Sequence, residues 1–177
     1  MPTKTVMDSD SVNRTISRIV NQILERNNGA RDLAIIGIRT RGVYIAGRIA
    51  GEIERIEGIK PPLGTLDITL YRDDLRHKAE WQKVKKTEIP FPVEDKKVIL
   101  VDDVIYTGRT IRAAIDEIMD YGRPSSIQLV ALIDRGLREL PIQPDYVGSK
   151  LDTLSSEEVR VRLKEADGTD EVNLVTG

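Results

Sequence analysis

The chain has 177 residues, 40% hydrophobic and 32% charged, with a formal net charge of −2. That length suits one domain with a substantial core, and the near-neutral balance excludes a general nucleic-acid binder, so any RNA site must be a local basic patch. The absence of cysteine excludes disulfides and thiolate metal ligands and fits a cytoplasmic setting; no run approaches the ~20 apolar residues of a membrane span, and MPTKTVMDSD lacks the apolar core of a secretory signal.

Residues 8–11 supply N-cap candidates and Gly29 a stop for a first helix. Its Val12, Ile16, Ile19, Val20, Ile23 and Leu24 recur at helical spacing, with Arg14 and Arg18 on the opposite face. Residues 33–38 read as a buried strand, 37–42 (GIRTRG) as a tight loop, and 43–57 as a helix with Ala46, Ile49, Ala50 and Ile53 as its stripe. Residues 58–62 break it, and 65–71 read as a strand. The charged, aperiodic stretch 72–92 is expected to be a functional loop, because one so long seldom survives otherwise in a compact domain.

Further along, 97–102 is a strand and 108–121 a helix burying Ile111, Ala114, Ile115, Ile118 and Met119, ended by Gly122. Residues 127–133 form a buried strand, 134–144 are irregular, and 146–147 are a short strand. Residues 159–163 and 172–175 alternate and are joined by ADGTD, a hairpin signal. Strands and helices taking turns predict an α/β fold: a mostly parallel central sheet flanked by helices.

The densest chemistry lies in 98–110, VILVDDVIYTGRT. An apolar run brings Asp102 and Asp103 to the C-terminal end of a parallel strand, where open α/β sheets place ligands. Ionised carboxylates accept hydrogen bonds only, which suits the two hydroxyls of a ribose. Thr107, Gly108, Arg109 and Thr110 then offer amides and hydroxyls at a helix start, a site for a 5′-phosphate. The run matches neither an NTP-binding loop nor a dinucleotide fingerprint. Loop 37–42 falls at the same end of the sheet, so its amides and Arg41 can take a second anion. Tyr71, Arg72, Asp73, Asp74 and Lys78 belong to the charged loop, which reads as a lid excluding water, with Arg72 as a contact for that second anion. The sole histidine, His77, sits among charges and is not assigned to catalysis.

Four apolar residues, two acids and a Thr-Gly turn resemble the signature of the type I phosphoribosyltransferases. Residues 66–74 (LDITLYRDD), 98–110 and 124–141 (PSSIQLVALIDRGLRELP) are similar to one branch, the bifunctional pyrimidine operon attenuation regulators and uracil phosphoribosyltransferases. The likeness spans about residues 18–148 and is weak in the last thirty. It implies a single domain over 1–177, with a core at about 30–148, a lid at about 72–92, and a small hood from the N-terminal segment, 134–150 and the C-terminal hairpin. It implies transfer from phosphoribosyl pyrophosphate to uracil, with Mg²⁺ bound through substrate oxygens and water and no dedicated protein ligands. It assigns pyrophosphate to Thr40, Arg41 and Gly42, in a loop that often holds a cis peptide, with Arg72 as a further contact, and places uracil beside Asp134 and Arg135, with backbone groups reading the base. It also implies leader-mRNA binding promoted by UMP or UTP, with Arg14, Arg18, Arg138 and Lys150 as candidate contacts, and at least a dimer; neither a membrane nor DNA is an expected partner. The chain departs from the branch at Leu137, Gln143 and Ser149, where better-known regulators are more basic. A purine phosphoribosyltransferase is the alternative on the same fold.

Overall fold

The computed structural model describes residues 1–68 and 87–177. In chain order the elements are β1 (Thr3–Met7), α1 (Ser9–Asn27), β2 (Leu33–Ile38), α2 (Arg41–Glu57), β3 (Leu63–Leu66), β4 (Lys97–Ile105), α3 (Arg109–Tyr121), β5 (Ser126–Asp134), β6 (Tyr146–Lys150), β7 (Glu158–Arg162), α4 (Lys164–Asp167) and β8 (Glu171–Val175). Among the described residues, β3-β2-β4-β5-β6 form a parallel sheet in that order, and β1-β8-β7 form a small antiparallel one.

Alternation along the central strands divides the core in two. Ile35, Ile99, Val101 and Val130 face the apolar stripes of α1 and α2. Ile36, Val98, Leu100 and Ala131 face Ile111, Ala114 and Ile118 of α3. The first helix starts where its caps direct: the Asp8 carboxylate accepts the Ser11 amide at 2.8 Å, and Asn28 ends the helix in the left-handed region at φ 55°.

The structure revises several element boundaries. The β4 ladder runs three residues past Asp102, pairing Val104 with Ile133 and Ile105 with Asp134. Backbone pairing continues there because polar side chains at the sheet's rim can face the cleft without breaking the ladder. Met119 is 53% exposed, not buried. The buried arc of α3 is centred on Ala114 and takes in Ala113 and Glu117, and Met119 lies about 140° round the helix from Ala114. The strand expected at 65–71 appears as Leu63–Leu66.

The hood also differs from expectation. Residues 146–150 belong to the main sheet, with Tyr146 opposite Val130 and Lys150 opposite Asp134. The N-terminal segment, expected in the hood, joins it as the strand β1, which no local pattern announces, with Thr3 opposite Val175. The expected hairpin exists, pairing Arg162 with Glu171, but its link contains the one-turn helix α4. Gly148 permits the close packing of β6: a Cβ there would collide with the Leu132 carbonyl oxygen and lie 2.8 Å from Cγ2 of Thr15. The lid residues Tyr71, Arg72, Asp73, Asp74 and Lys78 lie outside the described residues.

Candidate active site

Parallel pairing of β2, β4 and β5 puts the loops that follow them at one rim of the sheet. At the centre, Asp102 is 6% exposed and its Oδ1 accepts the Asp103 amide at 2.9 Å. Asp103 Oδ1 accepts the Val104 amide, also at 2.9 Å. Both carboxylates are thus oriented by the strand that carries them.

The loop before α3, expected to take a phosphate, is built on Gly108, whose φ of 94° only glycine adopts readily and which caps α3. The Arg109 amide donates to the Thr107 hydroxyl at 3.2 Å, and the Thr107 carbonyl accepts the amides of Glu139 and Leu140 at 2.9 and 3.0 Å. The Arg109 side chain pairs with Glu139 at 2.6 Å. The segment after β5 therefore braces this loop.

Arg138 makes that brace rigid. Its guanidinium donates to the carbonyls of Tyr106 (2.8 Å) and Ile142 (2.7 Å), to Asp134 Oδ2 (2.8 Å) and to Gln143 Oε1 (3.2 Å). Burial pushes the Asp134 carboxyl up, but Arg138 and the Gly136 amide outweigh it and hold it below the usual carboxylate range.

The third loop follows β2. Its Arg39–Thr40 peptide is cis. A Cβ on Gly42 would sit 2.5 Å from the Val101 carbonyl oxygen and 3.2 Å from the Asp102 Cα. The glycine thus lets the start of α2 touch β4 beside the paired acids. Thr40 is the N-cap of α2 but makes no side-chain capping bond, and it is exposed.

Paired acids, a glycine-capped helix start and the cis-peptide loop after β2 thus meet at one rim of the sheet. The family described as "Phosphoribosyl transferase domain" matches residues 3–166. The chain is 53% identical over 173 residues to the bifunctional protein PyrR of Deinococcus radiodurans, covering 98% of this chain and 94% of that one. It is 58% identical over 167 residues to the bifunctional protein PyrR of Pelotomaculum thermopropionicum, covering 94% and 92%. The chain belongs to the phosphoribosyltransferase family.

Solved structures share the fold at low identity. A hypoxanthine phosphoribosyltransferase from Trypanosoma cruzi aligns with a TM-score of 0.74 at 14% identity, over 96% of this chain and 92% of that one. A hypoxanthine-guanine phosphoribosyltransferase from Bacillus anthracis aligns at 0.68 and 17%, over 99% and 100%. These two carry the type I architecture and nothing about the base.

In this phosphoribosyltransferase an open cleft of about 550 Å³ lies between the small sheet and the rim, lined by Arg41, Asp103 and Asp167 with Glu158, Arg160 and Asn173. Asn173 is 8% exposed, and its Oδ1 has no hydrogen-bond partner. The hood residues escaped sequence reading because the strands that carry them are short, charged and remote in sequence from the signature.

The structure places the other candidate side chains as follows. Arg135 is 8% exposed. It donates to Thr153 Oγ1 (3.2 Å) and to the carbonyls of Leu154 and Glu157 (3.1 and 2.9 Å), and it stacks 4.2 Å from the Tyr106 ring centroid. The Asp134 carboxylate is engaged by Arg138 and Gly136. Arg138 is an internal brace with a side chain only 12% exposed, so it is withdrawn as an RNA contact. Arg18 stays on the outer face but donates to the carbonyls of Val147 (3.3 Å) and Gly148 (2.5 Å) on the edge strand β6. Arg14 and Lys150 are exposed. Arg41 is held by Asp167 through bonds of 3.2 and 2.8 Å.

Proposed function

We propose that this chain transfers the 5-phosphoribosyl group of phosphoribosyl pyrophosphate to uracil, giving UMP and pyrophosphate. The carrying observation is that Asp102 and Asp103 lie near the C-terminal end of a buried strand, which ends at Ile105 and leads through residues 106–107 into the Gly108-capped helix. The ribose hydroxyls bind the two carboxylates, and the 5′-phosphate binds the amides and hydroxyls of residues 107–110, where the helix dipole favours an anion. The pyrophosphate lies against Thr40, Arg41 and Gly42. The bond from C1′ to pyrophosphate oxygen breaks, the uracil N1 bond to C1′ forms on the opposite face, and the N1 proton leaves. Positive charge on the sugar during this exchange is stabilised by Asp102 and Asp103. The base lies beside residues 134–136, met by backbone groups because both side chains there have internal partners.

Magnesium, when bound, neutralises the departing pyrophosphate. Among the described residues no group of three or more His, Cys, Asp or Glu is gathered to hold a metal. A hard cation carried by substrate oxygens and water fits this chain, whose cleft is lined by the carboxylates of Asp103, Glu158 and Asp167.

A second activity is part of the same proposal: the chain, at least a dimer, binds pyrimidine-operon leader RNA when UMP or UTP is bound. The relatives named bifunctional protein PyrR support this, and Arg14 and Lys150 are the exposed cations offered to phosphate. Replacing either with alanine is expected to weaken RNA retention on filters and flatten its salt dependence while uracil transfer stays intact. Equal RNA retention in both variants contradicts the assignment of these residues.

The catalytic test is Asp102→Asn combined with Asp103→Asn. UMP formation is expected to fall by about a hundredfold or more, with thermal melting unchanged. Full activity in the double variant rejects the site, and turnover of hypoxanthine or guanine in preference to uracil rejects the base.

A further inference from the structure

Arg41 stands at the first turn of α2, in the loop assigned to pyrophosphate, yet its guanidinium is already occupied. Nε and Nη2 donate to the two oxygens of Asp167 at 3.2 and 2.8 Å, the two-pronged geometry with which arginine also binds a phosphoryl group. Arg41, Asp167 and Asp103 line the same cleft. We propose that the Asp167 carboxylate is an internal stand-in for substrate pyrophosphate: it holds Arg41 in the empty enzyme and yields it when the substrate arrives. The inference rests on phosphoribosyl transfer as the reaction.

Three observations make the exchange possible without undoing the hood. First, a separate clamp holds the hood to α2. Arg48, seven residues on and therefore on the same helix face, binds Asp170 at 2.7 and 3.0 Å and Glu165 at 2.7 and 2.9 Å. Second, the clamps differ in depth. The Asp170 side chain is 2% exposed, whereas Arg41 and Asp167 are 35% and 17% exposed and border the cleft. Third, Asp167 keeps a partner when Arg41 leaves, because its Oδ2 also accepts the Leu163 amide at 2.9 Å. Arg41 and this amide hold the Asp167 carboxyl below its usual range, so the group is an anion under working conditions.

An anion already on Arg41 weakens the apparent affinity for pyrophosphate and speeds its departure. Asp167 is thus a positioning residue that acts through Arg41. The test is calorimetric titration of pyrophosphate into wild type and Asp167→Asn, with and without magnesium chloride. The variant is expected to bind roughly twofold to fivefold more tightly in both buffers, the ratio that loss of a partly exposed pair produces. KM for phosphoribosyl pyrophosphate should fall while KM for uracil holds, a split that a merely loosened hood does not give. The gain should vanish when Arg41→Ala is added. If the asparagine variant does not fold, Asp167→Ser, which keeps an acceptor for the Leu163 amide, is titrated instead. Unchanged or weaker binding in either buffer overturns the proposal; weakening with magnesium alone assigns Asp167 to the metal instead. Wild type that binds no pyrophosphate and makes no UMP rejects the transferase reading itself, a separate result.

Discussion

Two arginines three residues apart grip Tyr106, the first residue after β4. Arg135 stacks on its ring at 4.2 Å, and Arg138 donates to its carbonyl at 2.8 Å. The amides that follow, proposed above to bind the 5′-phosphate, are thereby held in place in advance, which is how a small site gains affinity without new contacts. Arg138→Ala would strand a buried Asp134 carboxylate and release the Tyr106 and Ile142 carbonyls together. Unpairing a buried ion is costly, so a loss of about 3 kcal/mol is expected in urea unfolding. Phosphate-end affinity should fall with it, read as a higher KM for phosphoribosyl pyrophosphate. An unchanged denaturation midpoint would remove Arg138 from this role.

At the scale of elements, α1 is fixed to β5 and β6 by a buried polar network. Asn27 Nδ2 donates to Gln128 Oε1 at 3.1 Å and Tyr146 Oη at 3.3 Å, Gln128 Nε2 returns a bond to Asn27 Oδ1 at 2.8 Å, and the Tyr146 hydroxyl donates to Gln128 Oε1 at 2.5 Å. Buried polar groups specify one docking because any shift leaves a donor or acceptor unmet. Asn27→Leu, which has nearly the same shape, is expected to destabilise the fold by about 1–3 kcal/mol through the abandoned Gln128 amide. Pairing it with Gln128→Leu should recover part of that loss. Additive losses in the double variant would show that the two amides act independently.

For the whole molecule, the open question is how a small hood stays on a larger core. Bonds to Arg48 hold the Asp170 and Glu165 carboxyls below their usual ranges, and bonds to Arg41 do the same for Asp167. A carboxyl with a lowered folded pKa contributes stability above its unfolded value, near 4, and loses it as pH falls through the folded one. The hood should therefore loosen first in acid. Amide protection in β7 and β8 is expected to drop below about pH 4 while that of β4 and β5 persists. Simultaneous loss across both sheets would contradict this order.

The apolar periods of α1, α2 and the central strands, and the run from Val98 to Thr110, are local patterns, and they identified the parallel sheet, the paired acids on its central strand and the helix start that follows them from sequence alone. Local patterns suffice there because a helix stripe or a buried strand is set by its own spacing. Tertiary structure decided what no window of neighbouring residues contains: that Thr3 pairs with Val175, that Arg135 and Arg138 turn inward to brace a loop, and that Asp167 meets Arg41 across 126 positions. A charged side chain reads as surface in a sequence, and only the partner brought to it by the folded chain determines whether it faces water, a ligand or another charge.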